Sequence, residues 1–263
     1  MYFQNLSLHL HCFYTDKTMN HNFDFKQFTI FQEKSAMKVG TDGVLLGAWA
    51  KPSCDANSHL SILDIGTGTG VIALMMAQRF PNAVITAIEI DHDAAEEAKT
   101  NAGNSPWSDR ISVVESALSD FDAADVDGKL CQYDLIVTNP PFYNATLKPD
   151  EATRAAARHC DSLPFSDITR FADSHLSSDG ILAVIYPTNC EQNIMLGVAT
   201  SSLTFHTICD VVTKEGKPAK RRMACFSRKS YPLKQECLVI RNASGDYSDD
   251  YRNLVNNFYI NLN

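Results

Sequence analysis

An open α/β sheet is the fold this sequence predicts, and three observations predict it. Short β-branched and apolar runs alternate with helical stretches, as in Leu60–Ile65, Val71–Arg79 and Val84–Glu89. A glycine-rich turn, Asp64-Ile65-Gly66-Thr67-Gly68-Thr69-Gly70, joins the first of these strands to the first of these helices. A second rigid turn, Asn139-Pro140-Pro141-Phe142, follows the run Tyr133–Thr138. In such sheets ligands bind beyond the carboxyl ends of the strands, which is where both turns fall.

Composition narrows the class. The 263 residues suit one large domain with an appendage, and a hydrophobic fraction of 44% is ample for a core. No apolar run approaches the ~18 residues of a membrane span. The N-terminus lacks a basic n-region, so no secretory signal is predicted. The eight cysteines are scattered with no C-x-x-C pair. They read as reduced thiols of a cytoplasmic protein, with no metal site. A net charge of −8 argues against a protein that coats nucleic acid, although a local basic patch remains compatible with it.

Residues 1–24 are polar and aperiodic and predict a flexible extension; one domain then runs from 25 to 263. Met19 is a ready alternative start, so Met1–Thr18 is expected to contribute nothing to activity. Phe25–Phe31 has a strand pattern. A helix follows, with Thr41 or Asp42 as its N-cap and Val44, Leu45 and Ala48 on one face. Capping alone and a role at a ligand's amino-acid end explain Thr41 and Asp42 equally well. Val84–Glu89 ends in an acid, and Asp91 caps the Ala-rich helix after it. Further strands are expected at Ile111–Val114, Gly180–Pro187, Phe205–Thr213, Arg222–Ser227 and Glu236–Ile240, with helices from Pro164, over Cys190–Ser201 and over Tyr247–Tyr259. His175 reads as a half-buried helix residue rather than a base.

The glycines at alternate positions let the backbone turn sharply and approach a ligand where a Cβ would clash. The acid Glu89, at the tip of the second strand of this βαβ unit, is where ribose hydroxyls are held. The Asn139 turn suits a different task. Its prolines fix φ and remove N–H groups, presenting an amide side chain, a free carbonyl and the Phe142 ring. That set fits methyl transfer to a planar exocyclic or amide nitrogen. The Asn139 amide oxygen and the Pro140 carbonyl accept both N–H bonds, which exposes the nitrogen lone pair, and Phe142 stacks on the plane. An ordinary Asn-Pro loop would show the same residues.

Lys214, Lys217, Lys220, Arg221, Arg222 and Arg228 stand against one acid, Glu215. This concentration predicts phosphate contacts, with Arg154 of the long loop Tyr143–Asp161 as a further candidate; a solvated hairpin is the plainer alternative, and Arg222 can instead point inward from a strand.

The run Asp64-x-Gly66-x-Gly68-x-Gly70, with Glu89 and then Asn139–Phe142, resembles the motifs of Rossmann-like S-adenosylmethionine-dependent methyltransferases of the Asn-Pro-Pro-Phe/Tyr group. With Met37–Trp49, Ala157-Arg158-His159 and Asn257-Phe258-Tyr259, the chain from about Phe25 onward is similar to the bacterial family that modifies N6 of adenine-37 in a valine transfer RNA. The resemblance implies a seven-stranded, mostly parallel core with an antiparallel edge hairpin. It implies S-adenosylmethionine as donor, held by Asp64, Gly66, Gly68, Gly70 and Glu89, with Thr41 and Asn139 beside it. It also implies adenine held by Asn139, Pro140 and Phe142, and a tRNA substrate. One departure concerns the donor's adenine: similar enzymes often carry an Asp just after strand three, where this chain has Glu115-Ser116-Ala117-Leu118, leaving backbone groups or Asp120 for that contact. Methylation of a glutamine amide or of guanine N2, and a non-catalytic RNA-binding relic, are the alternatives.

Overall fold

The computed structural model describes residues 22–121, 131–141 and 163–262. Met1–Thr18, Phe142, Arg154 and the rest of the loop 143–161 therefore lie outside the described residues.

Two short strands open the fold, β1 (Asn22–Asp24) and β2 (Thr29–Phe31), paired antiparallel. This corrects the single strand expected over 25–31: residues 22–24 pair with residues 29–31. Phe25 and Phe28 are both buried and stacked, and Phe25 N donates to Phe28 O at 2.8 Å, so the chain turns between them.

Then come α1 (Thr41–Trp49), β3 (Ser61–Ile65), α2 (Val71–Arg79), β4 (Val84–Glu89), α3 (His92–Gly103), β5 (Ile111–Glu115) and β6 (Tyr133–Thr138). The second half holds α4 (Phe165–His175), β7 (Leu176–Pro187), α5 (Glu191–Ala199), β8 (Thr204–Lys214), β9 (Arg221–Ser227), β10 (Lys234–Arg241) and α6 (Asp249–Val255). Strands β3 to β10 form one eight-stranded sheet in the order β10-β8-β9-β7-β6-β3-β4-β5. All neighbours are parallel except those of β9, which runs antiparallel to both β7 and β8. The sheet thus carries one strand more than the expected seven. The β8–β9 hairpin is not outermost, because β10 lies parallel outside β8.

Strand parity explains the two cores. Ile62, Leu135, Val137, Ala183 and Ile185 pack with α1, α2 and α6 through Val44, Leu45, Met75, Met76 and Tyr251. Leu63, Ile65, Ile136, Leu182 and Val184 face the other way, onto Phe165, Ile168 and Ala172 of α4 and Ile194 of α5. With both faces covered, the central strands read as continuous apolar runs. Helix α1 is buried from Gly43 to Ala48 rather than on one face. His175 behaves as expected, stacked on Phe171 with a ring nitrogen 2.8 Å from the Phe171 carbonyl. Among the described residues no helix is long and apolar enough to cross a membrane.

Candidate active site

The carboxyl ends of β3, β4 and β6 come together by register: Ile65 lies opposite Thr138 and Ile88. Fully buried Thr138 donates its hydroxyl to the Ile65 carbonyl at 2.9 Å, tying the strand that ends in Asn139-Pro140 to the strand that enters the glycine loop. Gly66, Gly68 and Gly70 adopt φ of 69°, 56° and 84°. These values lie in the left-handed region that L side chains seldom occupy. The loop is closed by Gly66 N and Thr67 N donating to Ile88 O and by Gly70 N donating to Thr67 O.

A cleft of about 400 Å³ opens along this edge, lined by the glycine loop, Asn139, Pro140, the start of α1 and Arg221. A Cβ placed on Gly66 or Gly68 would meet no protein atom within 4 Å. Open space over a left-handed backbone is what a closely seated ligand needs, so the loop fits a methyl donor.

The expected site residues divide. Thr41, Gly66, Gly68, Asn139 and Pro140 line the cleft. Glu89 stands at the neighbouring strand tip, where its Oε2 accepts from Gly68 N at 2.8 Å and its Oε1 from Ile90 N and Asp91 N. Asp64 does not face the cleft. It shares strand parity with Ile62, points under α2, and is 0% exposed. Its Oδ2 accepts from the Thr67 hydroxyl at 2.6 Å and from Ala73 N at 3.2 Å, so it holds the loop onto the helix. Burial pushes this carboxyl up to about 7 against those two bonds, and Glu89 adds to the rise. Gly70 is the N-cap of α2 and packs on Ala98, away from the cleft.

Neither Thr41 nor Asp42 caps α1. The cap residue is Gly40, with no side-chain hydrogen bond, and Asp42 instead pairs with Arg221 at 2.7 Å. Among the cationic candidates Lys214, Lys217 and Lys220 are exposed. Arg222 is corrected to a structural role, because its guanidinium sits on Asp210 at 2.7 Å and Glu191 at 2.9 Å. Arg228 donates to the carbonyls of Asp173, Leu176 and Ser177.

At the end of β5, Glu115 pairs with His92 and Ser116 N donates to Glu89 O. Two side chains escaped the sequence. Asn101, 1% exposed, bonds Phe31 N, Phe31 O and Thr69 O, and Glu97 accepts from Lys34 N and Ser35 N. Asn101 ties the end of β2 to the glycine loop, and Glu97 ties the segment before α1 to α3. Two polar residues four apart on the apolar face of an Ala-rich helix were the available signal.

These features define a methyltransferase, and the chain belongs to the methyltransferase small domain family, whose pattern matches residues 52–203. Its curated relatives are more particular. A Flavobacterium psychrophilum protein named tRNA1(Val) (adenine(37)-N6)-methyltransferase is 42% identical over 91% of this chain and 100% of its own length. The Aeromonas hydrophila protein of the same name is 41% identical over 92% and 99%. In fold, the chain is similar to the crystal structure of a predicted O-methyltransferase from Agrobacterium tumefaciens, with a TM-score of 0.62 and 21% identity over 82% of this chain and 96% of that one.

Proposed function

We propose that this protein transfers a methyl group from S-adenosylmethionine to the exocyclic N6 of an adenine in tRNA, adenine-37 of a valine tRNA. The observation that carries this is the Asn139-Pro140 tip, held by the Thr138–Ile65 bond against an open glycine loop in one cleft. The names of the near full-length relatives favour adenine over a glutamine amide or guanine N2.

When bound, S-adenosylmethionine supplies an electrophilic methyl group on a sulfonium. Gly66 and Gly68 give it room, and Glu89 stands one strand away to receive ribose hydroxyls. Adenine N6 is unreachable in a stack, so the base is extruded at a cost of a few kcal/mol, least in a single-stranded loop. Phe142 stacks on it and returns ~1–3 kcal/mol. The Asn139 oxygen and the Pro140 carbonyl accept hydrogen bonds from the two amine N–H groups and leave the lone pair free for attack. No separate base is required, since the methylated nitrogen is cationic and loses its proton to water.

The turn 215–220 rises at the same edge, because Arg221 begins β9 opposite Pro187, the last residue of β7. That position and their exposure support Lys214, Lys217 and Lys220 as the residues that meet phosphates flanking an extruded base. Asn139→Ala tests the assignment. Turnover on tRNA should vanish while affinity for S-adenosylhomocysteine stays within about twofold. An active Asn139→Ala protein would overturn it.

A further inference from the structure

Across the carboxyl edge the strand order reads β4, β3, β6, β7, β9, which places Glu89, the glycine loop, Asn139, Pro187 and Arg221 in sequence. At ~4.8 Å between neighbours, the backbones of Glu89 and Arg221 stand ~19 Å apart before their side chains reach inward. If Glu89 holds the ribose and Asn139 the receiving nitrogen, the remaining arm of the donor runs towards α1 and Arg221. That arm ends in an α-ammonium and an α-carboxylate.

The protein presents the complementary pair there. Arg221 Nε donates to Asp42 Oδ2 at 2.7 Å, and both residues line the cleft. Their side chains are 39% and 34% exposed, and a pair this solvated adds little to stability. Arg221 Nη1 donates to Lys220 O at 3.1 Å; among the described residues its Nη2 and Asp42 Oδ1 have no hydrogen-bond partner. The first turn of α1 beside them carries no side-chain cap, so its N–H groups are also free to meet an anion.

We infer that Arg221 receives the α-carboxylate and Asp42 the α-ammonium of the donor, and that their ion pair holds both groups in place before the donor arrives. The inference rests on S-adenosylmethionine being the donor. Guanidinium and carboxylate match in a two-pronged geometry that no neutral side chain reproduces. It also separates Arg221 from the lysines next to it in sequence. Their side chains are exposed on the turn, whereas Arg221 turns into the cleft.

Two ligands differing only in this arm provide the test: S-adenosylhomocysteine, which has it, and 5′-methylthioadenosine, in which a methyl group replaces it. Calorimetry on the full chain is expected to show that Arg221→Gln weakens S-adenosylhomocysteine about 10- to 100-fold, the range of a lost hydrogen bond to a charged group. Affinity for 5′-methylthioadenosine should stay within about twofold, which also shows that the variant is folded. Arg221→Lys should recover part of the loss, and Asp42→Asn should discriminate in the same direction. Equal loss of both ligands would reduce the pair to a piece of cleft wall and overturn the inference. So would unchanged binding of both with weakened tRNA binding, which would return Arg221 to the phosphates. A wild-type protein that binds neither ligand would instead refute the donor itself.

Discussion

Replacing Gly68 with alanine separates what the glycine loop does for the fold from what it does for a ligand. Gly68 sits at φ 56°, where an L residue costs about 1–2 kcal/mol more than glycine. The added Cβ meets no protein atom within 4 Å, and the bond from residue 68 N to Glu89 Oε2 at 2.8 Å survives, so backbone strain is the whole structural cost. For a domain of this size that strain lowers Tm by roughly 2–8 °C. The same methyl group enters the space assigned to the donor, so affinity for S-adenosylhomocysteine should fall at least tenfold, ~1.4 kcal/mol. Differential scanning calorimetry measures the first quantity and isothermal titration the second. A melting shift of the expected size with unchanged affinity would show that no ligand passes over Gly68.

Further outcomes follow from the clamps and charges around the cleft. Asn101→Ala strands Phe31 and Thr69 backbone groups and should cost about 3 kcal/mol in urea unfolding; a loss below about 1 kcal/mol would mean the clamp is dispensable. Asp64 is raised to about 7 in the folded protein, so its burial penalty is absent below the ordinary carboxylate range and complete above about 7. The stability advantage of Asp64→Asn over the natural chain should therefore grow as pH rises from about 4 to 7 and then level, and an advantage that shrinks over that window would contradict the assignment. The triple variant Lys214/Lys217/Lys220→Ala should flatten the salt dependence of tRNA binding by roughly 2–3 units of log–log slope; a natural slope would remove the turn from the interface.

Much of this arrangement was readable residue by residue. Buried strands next to unambiguous turns placed Gly66, Gly68, Glu89, Asn139 and Pro140 on one edge, since a parallel sheet brings successive strand tips together. What escaped was the direction in which side chains point. Asp64 lies two residues after Ile62 and so shares its face, turning the carboxylate under α2 rather than into the cleft. Arg221 and Arg222 are neighbours on β9 and point opposite ways, one to Asp42 and the other to Asp210, a distinction fixed by pairing with β7 and β8. The β1–β2 hairpin hid because Phe25 and Phe28 satisfy a strand pattern while their spacing belongs to a turn. Strand β10 was legible as a strand; the count of seven came from family resemblance.

The most direct measurement is the destination of the methyl group. The protein, labelled S-adenosylmethionine and two transcripts of the valine tRNA, one with adenine at position 37 and one with guanine, are incubated beside purified translation factors. Nucleoside analysis should find N6-methyladenosine in the adenine-37 transcript, with background label in the guanine variant and in the factors. Label in the factors, or equal label in the two transcripts, would contradict adenine-37 as the target.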